Sequence, residues 1–188
     1  MDLSQFWHEV GKAEFVEFCE RNPNMRIEMS KDEDIIIMPL PNTETGRKNF
    51  ELLGSFWAWT KKDRRGIAFD SSTGFTLSNG ARRSPDLAWV RKEKWNALFA
   101  EEKRRFARLV PDFVIELRSE TDSYKNLQNK MREYIENGVS LGWLIDPLER
   151  KIHVYRTEKD VEILENPKQV FGESVIEGFI LDLEDIFD

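Results

Sequence analysis

The six residues Phe113-Val114-Ile115-Glu116-Leu117-Arg118 constrain this chain more than any other stretch. Aromatic and β-branched residues in an unbroken run, with Pro111 just before them, favour a buried strand over a helix and mark the centre of a sheet. The same run ends on charge. A carboxylate closing an otherwise apolar strand costs several kcal/mol unless a partner satisfies it, so Glu116 asks for an arginine or a cation nearby.

Elements can be read outward from that strand. Glu14 to Arg21 has the spacing of a short amphipathic helix stopped by Asn22-Pro23. Met25 to Met29 and Ile35 to Met38 form a hairpin across the polar Lys31–Asp34 stretch. Thr43 and Thr45 offer caps for a helix to about Lys62, with Leu52, Leu53, Phe56, Trp57 and Trp59 near the helical period. Glycines 66, 74 and 80 punctuate a strand pair around Ala68 and Phe75 to Leu77, followed by a strand over Pro85 to Val90 and a short helix over Glu93 to Phe99. Beyond the central strand, Ser119 to Ser123 cap a helix from Tyr124 to about Glu136, ended by Asn137-Gly138. Leu141 to Ile145 and Ile152 to Tyr155 are strands joined through Asp146-Pro147, and the acidic, apolar tail from Val161 is a strand-rich annex on the same core. Strands alternating with helices make an α/β layer with a mixed sheet.

Composition narrows the chemistry. With 40% hydrophobic and 34% charged residues, the 188-residue chain has the balance of one soluble globular domain. Met1 to Glu20 lacks the basic and apolar regions of a signal peptide, and no run approaches the ~18 apolar residues of a membrane span. The single cysteine, Cys19, rules out an internal disulfide and fits a cytoplasmic location. One cysteine and two distant histidines, His8 and His153, cannot build a zinc cage. A catalytic metal would rest on carboxylates, which suits magnesium or manganese.

Net charge is −7, which argues against a general nucleic-acid binder, yet residues 45–110 hold 15 Lys and Arg against 7 Asp and Glu, a local +8 that leaves the flanks at −15. The island runs from Arg47 to Arg108 and is either a solvated surface or a phosphate-facing stripe.

Alternate residues of a strand share a face, so Asp86, Ala88 and Val90 point together, as do Val114, Glu116 and Arg118. If the two strands are neighbours, Asp86 and Glu116 converge within reach of one metal ion; otherwise they are strand-end acids paired with arginines. On the following helix Lys130 flanks the apolar stripe of Tyr124, Leu127, Met131, Tyr134 and Ile135. Its stem can lie along apolar surface and carry the ammonium to a buried acid, or it can simply be solvated.

Together Ser84-Pro85-Asp86, Pro111 to Ser119, Lys130, Tyr134, Asn137-Gly138-Val139 and Gly142 to Pro147 resemble the Uma-two family of bacterial restriction-endonuclease-like proteins, within the PD-(D/E)XK phosphodiesterase superfamily. Arg26-Ile27-Glu28, Ile37-Met38-Pro39, Glu44 to Arg47 and Ser72 to Leu77 extend the resemblance from Glu28 to Tyr155. It implies a restriction-endonuclease-like αβββαβ core with a central mixed sheet flanked by helices. The implied organisation is one domain over 1–188, with an N-terminal helix and hairpin in 1–43, a nuclease-like core in 44–156 and the annex in 157–188. It implies Asp86 and Glu116 as metal ligands for magnesium or manganese, DNA as substrate, and hydrolysis of phosphodiester bonds. The superfamily's usual lysine, two residues past the acid, is here Arg118, which stays protonated and can only hold a phosphate or pair with an acid. Lys130 takes the missing role by displacement to the helix. Glu28 and Glu44 match acids near the start of the family's core. A nucleic-acid-binding or homodimeric assembly module without turnover is the alternative on the same fold, and a homodimer suits cutting of both duplex strands.

Overall fold

The computed structural model describes residues 14–188. His8 and most of the segment read for a signal peptide lie outside them. The chain order is α1 (Glu14–Arg21), β1 (Arg26–Met29), β2 (Ile35–Met38), α2 (Thr43–Asp63), β3 (Gly66–Asp70), β4 (Phe75–Thr76), β5 (Arg82–Arg83), β6 (Leu87–Arg91), α3 (Lys92–Asn96), α4 (Ala100–Lys103), β7 (Phe113–Leu117), α5 (Tyr124–Glu136), β8 (Leu141–Asp146), β9 (Lys151–Arg156), β10 (Glu162–Glu165), β11 (Gln169–Phe171), β12 (Ile180–Asp182) and α6 (Glu184–Phe187).

Six strands form the main sheet in the order β10-β9-β8-β7-β6-β3, with β7 and β8 parallel and the other neighbours antiparallel. The expected core is found as α2-β3-β6-β7-α5-β8, with β4 and β5 inserted between β3 and β6. Helix α5 is the crossover that a parallel pair requires.

Strand alternation divides the sheet's two faces. Leu87, Trp89, Phe113, Ile115, Leu117, Trp143 and Ile145 pack beneath Leu52 and Phe56 of α2 and beneath Leu181, Leu183 and Ile186 of the C-terminal segment. Ala88, Val90, Val114 and Leu144 face Leu127, Met131 and Tyr134 of α5. Gly142 lies on that second face opposite Val114. A Cβ there would stand 2.6 Å from Met131 Cε, so the missing side chain lets α5 settle close to the sheet. Behind α5, Gly138 takes φ +105°, the left-handed turn that ends the helix.

The second sheet has the order β2-β1-β5-β4. Ile27 and Met29 turn toward Phe15 of α1, while Glu28 takes the other face. Two details differ from the sequence reading. Helix α2 is capped by Asn42, whose Oδ1 accepts from the N–H of Thr45, because Asn42 has the extended backbone a cap needs and Thr43 is already helical. Strands β3 and β4 do not pair with each other: β3 joins β6 in the main sheet and β4 joins Arg82–Arg83 in the small one.

Candidate active site

Extending the β6–β7 register one step past Leu87↔Ile115 sets Asp86 opposite Glu116. Both side chains point to the face under α5. The N–H of Leu117 donates to Asp86 Oδ2 at 2.9 Å, and Arg26 reaches Asp86 Oδ1 only at 3.6 Å. Glu116 is 3% exposed. Its Oε1 accepts from the Tyr134 hydroxyl at 2.9 Å and pairs with Lys130 Nζ at 2.9 Å.

Lys130 comes from the flank of α5, one turn before Tyr134, with its stem almost covered by the helix and sheet. The ammonium is shared, for Glu28 Oε1 lies 2.8 Å away on its other side. Glu28 also accepts from the Ser84 N–H at 2.9 Å and pairs through Oε2 with Arg83 Nη1 at 3.1 Å. Arg83 Nε in turn reaches Glu133 Oε2 at 2.6 Å. An unbroken chain of charge thus runs Glu133, Arg83, Glu28, Lys130, Glu116, and it joins the small sheet to α5 and the main sheet.

Burial sets the titration of these groups. Burial drives Glu116 up to about 7, against the pull of Lys130 and with Asp86 and Glu28 adding to the rise. Asp86 is also raised by burial, with the Leu117 N–H opposing. Burial alone would raise Glu28 too, but Lys130 and Arg83 outweigh it and hold the carboxyl below its ordinary range. Burial pulls Lys130 down less than Glu116 and Glu28 pull it up, so it remains an ammonium. Tyr134 is raised well above its ordinary value by burial and by Glu116, and stays a hydrogen-bond donor.

The other candidates lie elsewhere. Arg118 pairs with Asp146 Oδ2 at 2.7 Å and stacks over Tyr124, so of its two expected roles it takes the pairing one. Glu44 is exposed on α2 and faces Arg47 and Lys48. The basic island is dispersed: Arg65 turns to Asp63 and Glu177, Lys61 lies over Trp57, Arg91 and Lys94 meet Asp112, and Lys103 lies over Trp95.

Arg83, Glu133 and the hydroxyl of Tyr134 were not singled out from the sequence as partners in the network around Lys130, nor was Asp146 as the partner of Arg118. Asp146 carried the same signal as Glu116, an acid closing an apolar strand. Tyr134 showed as a hydroxyl on an otherwise apolar helical stripe. Arg83 had no such signal.

Lys130, Glu28 and Arg83 line a cleft of about 710 Å³ between Ile36 to Pro39 of the small sheet and the outer face of α5. Among the described residues no three His, Cys, Asp or Glu side chains gather as ready ligands. Two carboxylates do remain available. Glu116 Oε2 takes no partner among the described residues, and Asp86 Oδ1 has only the long contact with Arg26. A pair of acids on one rung, each with an oxygen to spare, fits a hard ion that keeps most of its waters.

A mixed sheet with a parallel β7–β8 step, acids at the adjoining ends of β6 and β7, and a lysine on the crossover helix define a restriction-endonuclease-like fold. The chain belongs to the Uma2 family, described as putative restriction endonucleases, whose profile matches residues 13–184. A similar solved structure is that of a putative nuclease of the DUF820 family from Anabaena variabilis ATCC 29413, with 25% identity, coverage of 86% of this chain and 89% of that one, and a TM-score of 0.71. No curated protein matches the chain. Among the described residues no helix is long and apolar enough to cross a membrane.

Proposed function

We propose that the protein is a metal-dependent endonuclease that hydrolyses DNA phosphodiester bonds, with Asp86 and Glu116 holding magnesium or manganese. The observation that carries this reading is the convergence of Asp86 and Glu116, opposite each other on the sheet, with the ammonium of Lys130, which also lines a cleft. A divalent ion held by the two acids would supply the positive charge that polarises a phosphate and lowers the pKa of an attacking water.

The chain's own groups divide the remaining work. Lys130, held as an ammonium between Glu116 and Glu28, orients the phosphate and stabilises the charge that develops on it. Tyr134 fixes one oxygen of Glu116 and leaves the other for the ion. Arg118, tied to Asp146, stabilises the ends of β7 and β8. DNA enters along the cleft beside α5, where Arg132 adds positive charge to that of Lys130.

Nicking of supercoiled plasmid tests the proposal. Wild-type protein should relax plasmid with magnesium or manganese and not in chelator, and Asp86→Ala should lose at least a hundredfold of the rate, the scale of losing charge stabilisation in a transition state. Equal nicking by Asp86→Ala and wild type contradicts the assignment. A shift of DNA mobility in chelator without any cutting in metal would instead support a binding module that has lost turnover.

A further inference from the structure

Resting on that metal-dependent reading, the geometry separates Asp86, Glu116 and Glu28 into two kinds. Asp86 and Glu116 each keep an oxygen for an ion. Glu28 does not, because Oε1 is held by the Ser84 N–H and Lys130 while Oε2 is held by Arg83.

We propose that Glu28 is a positioning residue for Lys130 and not a ligand of the metal, and that Arg83 fixes Glu28 in that task by bridging it to Glu133. The ammonium and a divalent cation would compete for Glu116, since both are drawn to its carboxylate and repel each other. A second anion on the far side of Lys130 resolves the competition. When Glu116 turns to the ion, the ammonium keeps Glu28 and stays beside the cleft. Glu28 suits this task because it comes from β1 of the small sheet, a different strand from those that carry the metal acids. It is 2% exposed, and Arg83 is itself buried against it, so neither can be a surface pair that forms and breaks freely. Arg83 is well shaped for the bridge, since its planar fork presents Nη1 to Glu28 and Nε to Glu133 at once.

Two measurements on the full chain test this. In metal-free protein, reductive methylation read by mass spectrometry compares Lys130 with Lys125, which is exposed on the same helix. Wild-type Lys130 should react at least tenfold more slowly than Lys125. Glu28→Gln and Arg83→Met should each raise its rate severalfold while Glu116 still pairs with the ammonium, and Arg83→Lys, which can span only one of the two acids, should fall between. Lys130 as reactive as Lys125 in wild type, or no faster in a folded Glu28→Gln variant than in wild type, overturns the proposal. Crystals soaked in manganese give the second reading. The ion should bind Asp86 and Glu116 while Glu28 stays on Lys130; a Glu28 oxygen within about 2.0–2.6 Å of the ion overturns the proposal and leaves metal dependence standing. Absence of an ion between Asp86 and Glu116 removes the metal-dependent reading instead, and the methylation rates then decide the role of Glu28 alone.

Discussion

At the scale of single residues, the site is a problem of burying like charges. Glu116, Asp86 and Glu28 share one small volume, and Lys130 with Arg83 offsets them only in part. The cost appears at Glu116, whose carboxyl titrates near 7. Because its folded pKa lies above the ordinary carboxylate value, this group's contribution favours the folded state at low pH and is lost as pH rises toward and through 7. Metal-free wild type should therefore lose thermal stability between pH 5 and 8 relative to Glu116→Gln, and added manganese should restore more stability at pH 8 than at pH 6. Parallel melting curves for the two proteins across that range would contradict the assignment. Asp86, Glu116 and Lys130 were legible as candidates from strand alternation and helical spacing. The anchoring role of Glu28 and Arg83 was not, because it depends on how a separate sheet folds over the site.

Among the elements, segments with a clear period or apolar run were readable and those too short to show either were not. Helices α1 and α5 and strands β2 and β7 stand where period and flanking residues place them. Strand β5 is only Arg82–Arg83, too short to show any period. Its two side chains nevertheless part in opposite directions, Arg82 over the ring of Phe15 and Arg83 into the site. The ends of β7 and β8 are joined by Arg118 and Asp146, and Asp146 is 1% exposed. Arg118→Met would leave a buried carboxylate with only the backbone N–H groups of Leu148 and Glu149. Chemical denaturation should show a loss of up to about 3 kcal/mol, reduced from that of a wholly unpaired charge by those two bonds. Manganese affinity should change little, and a collapse of metal binding with stability unchanged would assign Arg118 to the site after all.

Over the whole molecule, the two faces of the main sheet divide stability from chemistry. The face under α2 and the C-terminal segment holds the larger apolar core, and the face under α5 carries the acids and the lysine. Leu181, fully buried in the first of these, lies across the sheet from the site. Leu181→Ala should cost about 2–5 kcal/mol in denaturant melts while leaving nicking per folded molecule unchanged. The mixed α/β class was legible because strand and helix patterns alternate along the chain; of the small sheet only the β1–β2 hairpin was, since the pairing that joins it to β5, Met29 with Arg82, spans more than 50 residues. The most direct test of the central claim is a manganese titration of the full chain followed by electron paramagnetic resonance. Wild type should bind manganese saturably and both Asp86→Asn and Glu116→Gln should lose that binding; binding by either variant with wild-type affinity would contradict the assignment of the two acids as ligands.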